Sequence, residues 1–190
     1  LFYKVRKPLI CSFIENYMPG REYFQSIAPK RIKSRKANAY YWNDITRYID
    51  YFIDENSTVL EIGCGTGELL GGLKASKKTG IDFSEAMIDA AKSQFSNIDF
   101  KVMDASNLQL NSTYDVVILS NLVGYLDDVQ AVFNELKKVC HPRTKVIVTY
   151  YNKLWEPLLK FGELVGLKTK TPEQNWLTQQ DINNLLYLAG

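Results

Sequence analysis

The sequence predicts an α/β fold, a doubly wound and mainly parallel sheet with helices on both faces, and three observations predict it. After residue 57 short apolar runs alternate with longer amphipathic stretches, which is the rhythm of successive βαβ units. Five of those runs are rich in β-branched and aromatic residues, the types that suit a pleated, buried surface. The first run passes straight into three glycines at alternate positions, Gly63, Gly65 and Gly67, and then into a helical pattern. Such a turn admits a ligand against bare backbone and offers it the free N–H groups of the next helix.

Taken in order, residues 39–53 place Tyr41, Ile45, Tyr48, Ile49 and Phe52 on one helical face, so a leading helix is expected to pack on the sheet. Strands are expected at 58–62, 78–83, 98–103, 115–120 and 144–151. Helices are expected at 67–75, 84–95 and 127–140, with Ser84 before Glu85 and Asp127 before Asp128 supplying capping and N-terminal charge. Each crossover is long enough for a right-handed connection. Residues 152–176 interrupt the rhythm with Pro157, Gly162, Gly166 and Pro172 and hold Trp155 and Trp176, which reads as an insertion near a substrate. A last helix follows at 178–188, with Thr178 as N-cap. The expected organisation is a basic N-terminal segment over 1–38 and one domain over 39–190, cut short at its C-terminal end in mid-pattern. The chain has no initiator Met and reads as a piece of something longer.

Composition sets outer bounds. A chain of 190 residues with 46% hydrophobic side chains can bury one sizeable core. Cys11, Cys64 and Cys140 are odd in number and far apart, which suggests neither a disulfide framework nor a metal site and makes a reducing, cytoplasmic setting the expectation. No apolar run approaches the roughly 18 residues that cross a bilayer, and the first residues lack the apolar stretch of a signal peptide. The net charge of +2 conceals an uneven spread, since residues 1–50 carry ten Lys and Arg against four Asp and Glu. Five positive side chains fall between Lys30 and Lys36. With no aromatic residues interleaved to stack bases, that stretch reads as a solvated segment rather than a nucleic-acid surface.

The segment Val59-Leu-Glu-Ile-Gly-Cys-Gly-Thr-Gly67 carries the chemistry. Three glycines cost strand and helix stability that packing alone does not return, so a ligand site outweighs a plain tight turn. Dinucleotide folds prefer G-x-G-x-x-G, whereas the third glycine here is Gly67 and Glu68 takes the place such a fold would want. The pattern Glu61-x-Gly63-x-Gly65-x-Gly67 instead resembles the first motif of the class I S-adenosylmethionine-dependent methyltransferases. That resemblance extends over more than a hundred residues. It implies a Rossmann-like sheet in the order 3-2-1-4-5, with a C-terminal antiparallel hairpin expected beyond this sequence.

The same resemblance implies roles for particular residues. Cys64 is a small residue within the turn rather than a nucleophile. Asp82, 21 residues after Glu61, stands where a carboxylate accepts from both ribose hydroxyls, although by itself it would also serve as N-terminal charge for the following helix. Phe83 and Met87 look like the residues that flank an adenine, and Asp104 with the backbone of Ala105 like those that meet its edge. Ser120 and Asn121 match the strand end that faces the methionine part of the cofactor and the acceptor. Many relatives carry a histidine a few residues on, but the stretch here is Leu122-Val-Gly-Tyr-Leu126, and the sequence identifies no general base. His141, the one histidine, is expected at the amino end of the last strand, opposite the ligand edge of an open α/β sheet. Tyr40 and its neighbours Tyr41, Trp42 and Asn43, with Trp155 and Trp176, are candidates for covering the cofactor, since aromatic faces suit a sulfonium. Ordinary core packing would account for each of them equally well.

The stretches Asn121-Leu-Val-Gly-Tyr-Leu-Asp-Asp-Val-Gln130, Tyr151-Asn-Lys-Leu-Trp-Glu-Pro157 and Gln174-Asn-Trp-Leu-Thr178 resemble a bacterial subgroup in which the domain is fused to, or neighbours, a family 2 type glycosyltransferase. This implies a small-molecule acceptor of carbohydrate or lipid-linked glycan type. Three alternatives stand beside it: a nicotinamide-dependent oxidoreductase, a non-catalytic nucleoside-binding module and a nucleic-acid methyltransferase. Glycine spacing disfavours the first, and the third rests on the basic stretch alone. Motifs for cofactor binding do not by themselves separate the second.

Overall fold

The computed structural model describes residues 39–150 and 175–190, together with Ser26, Glu156, Pro157, Phe161 and Leu164 as isolated positions. The segment expected over 1–38 and nearly all of the insertion expected over 152–176, Trp155 included, lie outside the described residues.

The elements run α1 (Ala39–Tyr51), β1 (Thr58–Ile62), α2 (Glu68–Gly72), β2 (Lys77–Asp82), α3 (Glu85–Gln94), β3 (Asp99–Val102), β4 (Tyr114–Ser120), α4 (Val129–Glu135), β5 (Cys140–Thr149) and α5 (Gln179–Ala189). The five strands form one sheet in the order β3-β2-β1-β4-β5, and every pairing is parallel. Because strand side chains alternate between faces, β1 and β4 divide their apolar residues between two cores. Leu60, Ile62, Val117 and Leu119 enter one core with Val132 and Phe133 of α4 and Ile182 of α5. Val59, Val116 and Ile118 enter the other with Ile49 of α1, Leu69 and Leu70 of α2 and Ile88 of α3. Burial on both faces explains why these strands read as continuous apolar runs.

Caps fix the helix starts. Ser84 accepts from Met87 N at 3.4 Å, Asp128 from Ala131 N at 2.8 Å, and Thr178 forms a reciprocal capping box with Asp181. The cap of α4 is thus Asp128 rather than Asp127.

Four elements differ from expectation. The leading helix buries Ile49 but leaves Tyr48 exposed, as is Phe52 just past its end; its inward row is Ile45 and Ile49, four apart as a helical stripe requires, and Ile53 joins the same core beyond the helix end. The helix expected over 67–75 is only α2, and the chain is extended again at Leu73. Gly71 and Gly72 close it, residues of low helix propensity at positions where an added Cβ would strike Phe95 at 2.3 Å and Thr46 at 2.8 Å respectively. The helix expected over 127–140 ends at Glu135 and continues as a 3₁₀ turn, Leu136–Lys138. Strand β5 starts at Cys140, before the expected 144, because its register with β4 shifts between Tyr114 and Val116. Pro142 sits in that irregular stretch of an edge strand, where a missing N–H costs little.

Candidate functional site

The turn after β1 is tied to β2 by backbone hydrogen bonds, Gly63 N and Cys64 N both donating to Ile81 O at 2.8 and 2.9 Å. Gly63, Gly65 and Gly67 have φ of 74°, 54° and 82°, a left-handed backbone that side chains resist. The carboxylate of Asp82, at the end of β2, accepts from Gly65 N and Ser84 N, each at 2.9 Å. It joins the loop after β1 to the start of α3.

Asp82 O accepts from Met103 N at 2.9 Å, which carries the end of β3 to the same edge. There Asp104 accepts from Ser106 N and Oγ at 2.9 and 2.7 Å, a local turn of the kind Asp favours. At the end of β4, Ser120 Oγ lies 3.2 Å from Thr149 Oγ1, and Asn121 N donates to Thr149 O at 2.8 Å. Asn121 is the one non-glycine with positive φ among the described residues, at 51°. Its Nδ2 is buried with no hydrogen-bond partner among them.

These strand ends surround one open cleft. Of the residues singled out in the sequence, Gly63, Gly65, Asp82, Phe83, Met87, Asp104, Ala105, Ser120 and Asn121 line it. Glu61, Cys64 and Gly67 do not. Glu61 and Cys64 are buried next to it in the chain, and Gly67 is the cap residue of α2. Tyr40 stands apart, 88% exposed near the start of α1. Burial, and then the carboxylates of Glu61 and Asp82, push the Cys64 thiol well above its ordinary pKa.

Four lining residues escape the sequence reading, namely Met103, Leu122, Tyr125 and Leu126. The last three flank or sit on a 3₁₀ turn, Val123–Tyr125. An apolar stretch after a strand gives no sign in the sequence that it turns back over the strand ends. His141 lies at the opposite edge, its Nε2 3.2 Å from Asp115 Oδ1.

A parallel sheet with glycine turn, carboxylate and open cleft at the carboxyl ends of its central strands defines a nucleoside-cofactor domain of the doubly wound class. Residues 53–190 match the family model described as a methyltransferase domain. The chain belongs to that family, within the class I S-adenosylmethionine-dependent methyltransferases, and its cofactor is S-adenosylmethionine.

Among relatives, it is 38% identical over 92 residues to malonyl-[acyl-carrier protein] O-methyltransferase of Bacillus anthracis, covering 45% of this chain and 34% of that one. A Thermotoga maritima S-adenosylmethionine-dependent methyltransferase, described as a possible histamine N-methyltransferase, superposes with a TM-score of 0.74 at 17% identity, over 88% of this chain and 78% of that one. Magnesium protoporphyrin IX methyltransferase of Synechocystis PCC 6803, solved with bound SAH, gives 0.67 at 19% identity, over 90% and 86%. The chain spans 34% to 38% of the length of the first curated relatives it matches.

The site's chemistry suits such a cofactor. Each oxygen of a carboxylate offers two lone pairs, so Asp82 can receive hydroxyls as well as backbone N–H groups. The buried amide of Asn121 adds a donor on the cleft wall.

Proposed function

We propose that this chain binds S-adenosylmethionine in the cleft at the carboxyl ends of β1, β2, β3 and β4 and directs its methyl group to a small-molecule acceptor by in-line displacement. One observation carries the reading: Gly63, Gly65, Asp82, Asp104, Ser120 and Asn121, drawn from four strand ends, line one recess. In it Asp82 receives the ribose hydroxyls, Phe83 and Met87 flank the adenine, and Asp104 with the backbone of Ala105 meets its edge. Ser120 and Asn121 face the methionine part and the acceptor. Glu61, Cys64 and Gly67 act from behind the lining by shaping the turn, and Tyr40 covers the cofactor only if its exposed ring moves.

Bound S-adenosylmethionine supplies an already activated methyl. What remains for the chain is to hold donor and acceptor in line at about 3 Å and to keep water out. The apolar wall of Met103, Leu122 and Leu126 serves the second task. For the acceptor we propose a carbohydrate or lipid-linked glycan presented by a fused or neighbouring glycosyltransferase. Support comes from the three sequence stretches described above and from the cleft's charge. Its described lining holds Asp82 and Asp104 and no Lys or Arg, which favours a neutral hydroxyl over a carboxylate or phosphate at the reacting position.

Calorimetric titration with S-adenosylmethionine tests the first part, and absence of uptake would overturn it. Labelled donor offered with polyprenyl-linked sugars, sugar nucleotides, small phenols and malonyl-acyl carrier protein tests the second. Label confined to the non-carbohydrate acceptors would remove the glycan.

A further inference from the structure

Asn175 is absent from the cleft lining, yet its donors converge on the loop that forms one wall. Its backbone N–H donates to Gly124 O at 2.7 Å. Its side-chain Nδ2 donates to Leu126 O at 2.7 Å and to Val123 O at 3.4 Å. The recipients belong to or follow the 3₁₀ turn Val123–Tyr125, whose last carbonyls have no partner inside so short a helix. A primary amide has two N–H groups, so three donors of one residue meet three carbonyls.

That turn carries Leu122, Tyr125 and Leu126 to the cleft. Leu122 in turn lies against the bare face of the glycine loop, since a Cβ on Gly63 would fall 2.7 Å from Leu122 Cδ1. On its other side Asn175 is anchored by an independent device. Three residues on, Thr178 opens α5 with its capping box, and Gln130 Nε2 of α4 donates to Leu185 O of α5 at 3.2 Å. A continuous path therefore runs from a fixed helix start through Asn175 and Leu122 to Gly63.

We propose that Asn175 is a positioning residue that seats the Leu122–Leu126 wall against the glycine loop and so sets the width of the cleft where cofactor and acceptor meet. The inference rests on the cofactor reading above. Its test is calorimetric titration of the full chain with S-adenosylhomocysteine, alongside thermal melting, for wild type, Asn175→Ala, Leu122→Ala, the double variant and Asp115→Asn. Loss of two side-chain hydrogen bonds at the wall is expected to weaken binding about tenfold. Asp115→Asn, which alters hydrogen bonds to Thr58 and His141 at the opposite ends of the strands without touching the turn, is expected to lower the melting temperature and leave affinity unchanged.

Because Asn175 acts through Leu122, the double variant is expected to lose no more affinity than the larger single loss. Should Asn175→Ala fail to fold, Asn175→Ser, which keeps one donor, carries the same comparison. An unchanged affinity in the Asn175 variants, or strictly additive losses in the double variant, would overturn the proposal while leaving cofactor binding intact. Failure of the wild-type chain to bind would overturn both.

Discussion

Asp82 joins two loops through one carboxylate, accepting Gly65 N and Ser84 N at 2.9 Å each. In Asp82→Asn one of those oxygens becomes an NH2 facing a backbone donor, and the charge is lost. S-adenosylhomocysteine affinity is expected to fall about 10- to 100-fold, the worth of a hydrogen bond to a charged group, as read by calorimetry. Gly67→Ala acts on the fold instead. With φ at 82° and a Cβ that would meet the buried Phe100 ring at 2.6 Å, it is expected to cost at least about 1–2 kcal/mol of left-handed strain, read as a lower urea midpoint. At this scale the glycines and Asp82 were legible because a close backbone approach and a strand-end carboxylate impose spacing. For Tyr40 the sequence offers no such spacing, since an aromatic at a helix start looks the same whether it faces a ligand or solvent. Met103, Leu122 and Tyr125 hid among ordinary apolar residues, and only the paths of the chain after β3 and β4 show which of them reach the cleft.

Strand β5 shows how an element departs from its pattern. The register shift opposite Tyr114 and Val116 sets His141 Nε2 3.2 Å from Asp115 Oδ1, while Arg143 N donates to His141 Nδ1 at 3.2 Å. Asp115 is held below the usual carboxylate range first by the backbone N–H and hydroxyl of Thr58, with His141 adding to it. A carboxylate whose folded pKa is depressed stabilises the fold above its unfolded pKa, about 3.9, and loses that contribution as pH falls through the folded value. Asp115→Asn is therefore expected to flatten the acid limb of a melting-temperature profile below about pH 4 and to leave the neutral region with a uniform small loss. The strand centre was readable from Val146, Ile147 and Val148. Its start was not, because Pro142 and the charges around it argue for a loop, and only the pairing with β4 outweighs them. For α2 the reverse holds: the periodic pattern runs on through Gly71 and Gly72, yet the helix closes at Gly72, as two consecutive residues of low helix propensity favour.

For the molecule as a whole, the alternation of apolar runs was enough to give the class of fold, and the resemblance carried by the glycine motif supplied the order β3-β2-β1-β4-β5. Periodicity alone could not assign each helix to a face; the split of Leu60 from Val59 and Val117 from Val116 between the two cores does. Ligand binding to the strand ends should register globally. At a hundred times its dissociation constant, S-adenosylhomocysteine is expected to add about 2.7 kcal/mol and raise the melting temperature by about 5–10 °C, read by scanning calorimetry; no shift at saturation would contradict a native-state site. The joint that Asp82 makes between the loops after β1 and β2 is built wholly from groups of the chain itself. With one side chain fastening two stretches of backbone, whatever displaces that carboxylate slackens both at once, so this rim of the recess holds or yields as a unit.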